Sequence, residues 1–109
     1  MEVDFADRRL QRAVSSQVEM QRAFGQRLAR KLAVRIAALR AVDHASDLFD
    51  LPGRWHVLTE DWSGHLSADL VHPQRLLVRP RELPASGPSM AVDWAMTGAV
   101  TVVGIIDTH

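Results

Sequence analysis

The chain has 109 residues, 47% of them apolar, which suits one domain with a single modest core and makes disorder a poor default. It contains no cysteine, so a disulfide framework and a thiolate metal site are excluded. The formal net charge is zero, yet residues 1–42 hold nine Arg/Lys against four Asp/Glu and residues 43–109 hold four against nine. Charge segregated in this way fits a polyanion or a charged partner, although arginines also decorate solvated helices.

Glu2 to Phe5 alternates polar and apolar residues and reads as a short edge strand. Asp7 is a plausible N-cap for a first helix running to about Val14, with Leu10 and Val14 on its inner face, and Ser15-Ser16 breaks it. A second helix is predicted from about Val18 to Val42. Phe24, Leu28, Leu32, Ile36 and Leu39 form one apolar stripe at helical spacing. Arg27, Lys31 and Arg35 are expected along one flank of that stripe, stems on apolar surface and charges in water. Gly25 is tolerable inside the helix at some cost.

Asp43 to Asp50 reads as a turn or a short third helix that packs Leu48 and Phe49 inward, and Pro52-Gly53 marks a sharp loop. Strands follow: Trp55 to Leu58, then, beyond a polar hairpin loop at Glu60–Gly64, His65 to Val71. Pro73 precedes a third, Arg75 to Arg79, at a position where proline costs no ladder bond. Residues 80–96 are rich in Pro, Gly and Ser and read as a long connection, with Asp93-Trp94 tucking back onto the domain. The run Ala99 to Ile106 is almost continuously apolar and suits a central strand. The expectation is a single α+β domain over residues 1–109, helices first and an antiparallel sheet after them. No apolar run approaches the roughly 20 residues of a membrane span. The charged start MEVDFADRRL has no signal-peptide core, so a cytoplasmic location is expected.

The histidines are His44, His56, His65, His72 and His109, and none forms the i, i+4 pair of a helical zinc motif. No metal site and no cofactor are expected. Nucleotide-binding glycine loops and a nucleophile elbow are absent from the sequence. Asp107-Thr108-His109 follows directly on the last apolar strand. A carboxylate and an imidazole there suit proton transfer near neutrality, while an ordinary polar strand end is the plainer reading.

The order of several segments carries more. Phe5-Ala6-Asp7-Arg8-Arg9-Leu10, Pro52-Gly53-Arg54-Trp55-His56-Val57-Leu58, the loop to Gly64 and Ser67, Arg75-Leu76, and Asp107-Thr108-His109 together resemble the HigB branch of the RelE/ParE toxin superfamily. The resemblance covers nearly the whole chain. It implies a RelE-like (microbial-RNase-like) fold, two N-terminal helices packed on an antiparallel sheet of about four strands. It implies the toxin of a type II toxin–antitoxin system, a metal-independent endonuclease that cuts translated messenger RNA on the ribosome. A helix-turn-helix antitoxin would neutralise it, and operator DNA would be bound only through that complex.

By match to family positions, His56 and His109 are the candidates for proton transfer. Asp107 would orient His109 or act as a base, and Arg75 would hold the scissile phosphate through its planar fork. Arg54, Trp62 and Arg79 are the expected RNA contacts, Trp62 by base stacking. The chain departs from the family pattern in the hairpin loop, where Leu58-Thr59-Glu60-Asp61 replaces Leu-Lys-Gly-Asp, and at Thr108, where an aromatic residue is usual. Two alternatives stay open: a weakened homologue that serves as an antitoxin-binding co-repressor, and a ParE-like inhibitor of DNA gyrase.

Overall fold

The computed structural model describes residues 1–82 and 91–107. The elements in chain order are β1 (Glu2–Phe5), α1 (Arg8–Ala13), α2 (Gln17–Phe24), α3 (Gln26–Ala41), a 3-10 turn (Ala45–Asp50), β2 (His56–Val57), β3 (Leu66–Asp69), β4 (Gln74–Pro80) and β5 (Ala99–Asp107). Shorter 3-10 turns lie at Glu60–Trp62 and Trp94–Met96. No helix among the described residues is long and apolar enough to cross a membrane.

Local chemistry sets the helix boundaries. The Asp7 carboxylate accepts from the Leu10 N–H at 2.7 Å and starts α1. The Ser16 hydroxyl accepts from Glu19 N at 3.1 Å and starts α2. Such caps are worth about 1 kcal/mol each. The long helix expected over Val18–Val42 is two helices. Gly25 stands between them at φ +83°, a conformation that only glycine adopts without strain. Its N–H closes α2 onto Gln21 O, and its own carbonyl receives the first bond of α3 from Ala29 N. The apolar stripe survives this break because Leu28, Leu32, Ile36 and Leu39 all belong to α3, and all are buried.

The sheet has five strands in the order β1-β5-β4-β3-β2. It is mixed, not wholly antiparallel: β1 runs parallel to β5, with Val3 opposite Val100 and Phe5 opposite Val102. The other pairings are antiparallel. The coarse α+β expectation therefore holds, while the arrangement of two helices on four antiparallel strands does not. The last strand lies inside the sheet as its apolar run predicts, flanked by β1 and β4. A register shift opposite Leu77/Val78 changes the parity of β5. Val100 and Val102 belong to the core before it and Ile105 packs against that core after it, a spacing of two and then three.

One sheet face packs with Leu66, Ala68, Leu76 and Val78 against α3, Met20 of α2 and Leu48 of the 3-10 turn. Phe49, expected inside with Leu48, is 42% exposed, because the turn aims only one of the two adjacent side chains inward. Asp93-Trp94 does tuck back: Trp94 packs on the core, and Thr97 O accepts from Ala45 N at 2.9 Å. The first hairpin strand is shorter than expected. Trp55 is buried and donates its indole N–H to Pro52 O at 3.2 Å, so only His56 and Val57 pair with β3.

Candidate functional site

Residues on the sheet face opposite the core follow from the register. Asp69 stands opposite Arg75 and Arg75 opposite Ile106, while His56 stands opposite Ser67 and Ser67 opposite Leu77. Opposed residues share a face. His56, Ser67, Asp69 and Arg75 are therefore gathered on one face near one end of the sheet. A cleft of about 320 Å³ opens there, lined by Arg54, Asp69, His72, Gln74 and Arg75 among others.

Arg75 is the hub. Its Nε donates to Ser67 Oγ at 2.9 Å, and Nη1 forms a charged hydrogen bond with the Asp69 carboxylate. Its Nη2 donates to Arg54 O at 3.0 Å and lies 3.1 Å from His56 Nδ1. The side chain is only 14% exposed. Every guanidinium nitrogen thus holds a protein partner, and charge-assisted bonds of this kind are the strong class.

His56 completes the network. Its Nδ1 lies 3.1 Å from Arg54 O as well as 3.1 Å from Arg75 Nη2. The two neutral tautomers use these partners differently. With the proton on Nδ1, the ring donates to Arg54 O and Nε2 is a free acceptor. With Nδ1 bare, the ring accepts from Arg75 and Nε2 becomes a donor. Two neighbours thus support both a base and an acid at the same exposed Nε2.

Arg54 differs from Arg75 in almost every respect. Its side chain is 84% exposed, and its closest carboxylate, Asp69 Oδ2, lies 3.9 Å away. Its backbone is left-handed at φ +53°, an uncommon conformation for a non-glycine residue. The bonds that its carbonyl receives from Arg75 and His56 help to hold it there.

The floor of the site comes from a residue expected in solvent. Arg35 of α3 is buried, donating from Nε to Asp69 O at 2.7 Å and from Nη1 to Pro52 O at 3.4 Å. The expectation that it flanks the stripe like Arg27 and Lys31 holds only for those two, which are exposed. Arg35 lies within the stripe, seven residues after Leu28, three after Leu32 and four before Leu39. That spacing is the sequence signal for its burial. Gly53 lies over the guanidinium, and a Cβ there would meet Arg35 Nε at 2.8 Å. Asp69 and Ser67 were also missed, because their role appears only when β3 is set in register with β4.

Among the described residues, Arg79 and Trp62 lie away from this cluster, and Asp107 lies near it. Asp107 ends β5 opposite Gln74, adjacent to the Ile106–Arg75 pair, and is exposed. His109 and Thr108 lie outside the described residues, as does the middle of the 80–96 connection. Arg79 is four residues along β4 from Arg75, about 13 Å at ordinary strand rise, and donates to its neighbour Pro80 O at 3.1 Å. Trp62 sits in the β2–β3 loop, at the far end of β3 from Asp69, edge-on to His65 with ring centroids 5.6 Å apart. No group of three or more metal-ligating side chains occurs among the described residues. Comparison of the chain with protein-family models, with curated proteins and with solved structures finds no match.

Proposed function

We propose that this protein is a HigB-like toxin of a type II toxin–antitoxin system, a metal-independent endonuclease acting on messenger RNA in the ribosome. The observation that carries the reading is the meeting of His56 and Arg75. Nineteen residues apart in sequence, they lie 3.1 Å from each other and share the Arg54 carbonyl. Three residues that the family resemblance named for RNA chemistry thus form one connected unit.

Cleavage without a metal uses the ribose 2′-hydroxyl as nucleophile and gives a cyclic phosphate. It needs a base at that hydroxyl, a cation at the phosphate and an acid at the leaving 5′-oxygen. His56, with its Nδ1 held on Arg54 O, offers Nε2 as the base. His109, oriented by Asp107, is the proposed partner in proton transfer. Arg54 is the cation with a free fork, and Arg75 orients both neighbours while adding positive charge beside the phosphate. The α1–α2 groove, lined by Arg8, Arg9, Arg12 and Arg22 against Glu19, supplies a second basic surface suited to ribosomal RNA. A helix-turn-helix antitoxin is the proposed neutralising partner.

A second reading is favoured by one observation: the Arg75 guanidinium is already neutralised by Asp69, and its nitrogens are all engaged. A toxin homologue of weakened catalysis, kept as the co-repressor of an antitoxin, fits that closed network. Expression of this protein alone separates the two. Growth arrest with cleaved messages, relieved by Arg75→Ala, is expected for the endonuclease. Robust growth with intact messages, and co-purification with a helix-turn-helix protein, would sink it in favour of the co-repressor. Inhibition of DNA supercoiling would instead point to the ParE-like activity.

A further inference from the structure

We propose that Arg35 is the positioning residue of this site: from within α3 it fixes the backbone on which Arg54, Asp69 and, through them, Arg75 and His56 are set. The role assigned to it rests on the RNA-cleavage reading, but the geometry does not.

The argument starts from burial. Arg35 is 7% exposed, and no carboxylate lies within ion-pair distance of it among the described residues. A buried guanidinium is costly unless its donors are used well. Here they are used on two backbone carbonyls, Asp69 O at the end of β3 and Pro52 O before the β2 strand. These belong to different chain segments, which Arg35 joins from beneath. The same two segments are joined directly by the Asp69 N–H, which donates to Gly53 O at 2.7 Å. Gly53, at φ +124°, lies so close over the guanidinium that any side chain there would collide with it.

The consequence passes upward through two connections. On one side, the fixed Pro52-Gly53 turn delivers Arg54 in its left-handed conformation, with its carbonyl offered to His56 Nδ1 and Arg75 Nη2. On the other, the fixed Asp69 backbone places a carboxylate that holds Arg75 Nη1. Both supports of His56 thus trace to one buried fork. A lysine cannot replace it, because a point charge on a flexible stem does not span two carbonyls in a set plane. Among the described residues Arg35 makes no hydrogen bond to the His56 ring or to a cleft side chain, so its action is indirect.

The test uses the full chain with imidazole and backbone nitrogen NMR, which needs no activity. Arg35→Met keeps length and apolar bulk. It is expected to stay folded, to move the Gly53, Arg54 and Asp69 amide signals and the His56 ring nitrogen signals, and to speed exchange of the Asp69 amide at least tenfold. The β1 and β5 amides from Glu2–Phe5 and Val100–Val102 should keep their shifts, which separates positioning from general destabilisation. Arg35→Lys is expected to recover thermal stability without recovering the His56 signals. If Arg35→Met unfolds, the lysine variant decides, since wild-type His56 signals there overturn the proposal. So does a folded methionine variant whose Asp69 and His56 signals move no more than in the exposed control Lys31→Met. Where wild type cleaves message, the methionine variant should lower kcat at least tenfold with KM within twofold. A wild type that does not cleave removes the RNA reading and leaves the NMR result standing.

Discussion

Two charged clusters occupy the same face of the same sheet and end in opposite states. At the β1–β5–β4 end, Arg81 meets Glu2 at 3.3 Å and Asp4 Oδ2 at 3.0 Å, and buried Thr101 donates its hydroxyl to Asp4 Oδ1 at 2.6 Å. One guanidinium faces two carboxylates there. Arg81 Nε is poorly aligned for a hydrogen bond despite its short distance to Asp4, so the contact is an ion pair rather than a directed bond. At the β3–β4 end, Arg54 and Arg75 face a single carboxylate, Asp69, an imidazole joins them, and Arg35 holds the Asp69 backbone carbonyl from beneath. The first cluster has negative charge to spare and ties an edge strand to its neighbour. The second has excess positive charge, one exposed guanidinium, and an imidazole whose Nδ1 lies between a carbonyl and a guanidinium. Residue types are nearly the same; the balance of charge and the presence of His56 separate a fastening from a candidate site.

Breaking the second cluster should have the largest effect. On the proposed endonuclease reading, Arg75→Ala is expected to lower message cleavage roughly 10²-fold or more, because His56 and Arg54 lose the guanidinium that sets their positions. Because it leaves the Asp69 carboxylate without its main partner, it should also cost about 1–3 kcal/mol in urea denaturation. A stable, fully active variant would erase the distinction between the clusters. His56→Ala comes next. Cleavage should fall about 10²-fold or more by loss of proton transfer, while stability stays within about 0.5 kcal/mol because the ring is exposed. Equal losses of stability and activity would make His56 a structural residue.

The first cluster should answer in the reverse sense. Thr101→Val removes one buried hydrogen bond and is expected to cost about 1 kcal/mol, with cleavage unchanged. Any large loss of cleavage would mean that the two ends are coupled. The smallest effect is expected from Arg81→Met. Its pairs are partly exposed, so their worth is about 0–1 kcal/mol and should fade further with added salt. Thermal melts at low and high ionic strength measure that dependence.

Particular residues show how much was legible beforehand. The Asp7 cap, the α3 stripe, the buried strand from Ala99 and the return of Trp94 were all readable, because each is written in local spacing. The grouping of Arg54, His56 and Arg75 was suggested only by family order. Arg35 was misread although its spacing lay in the stripe, since a charge there is ordinarily taken to reach for water. Asp69 had no local signal at all, and Ser67 stood only as one residue of the family order.

Sequence by itself determined the helical and strand segments, the absence of thiol chemistry and the separation of basic from acidic halves. These depend on side-chain period and composition, which neighbouring residues set. Tertiary structure alone decided that β1 adds in parallel and that a buried arginine underlies the cleft. Those outcomes depend on which distant backbone groups come into reach. Pro52 O, Asp69 O and the Arg35 guanidinium become neighbours only after α3 has packed on the sheet.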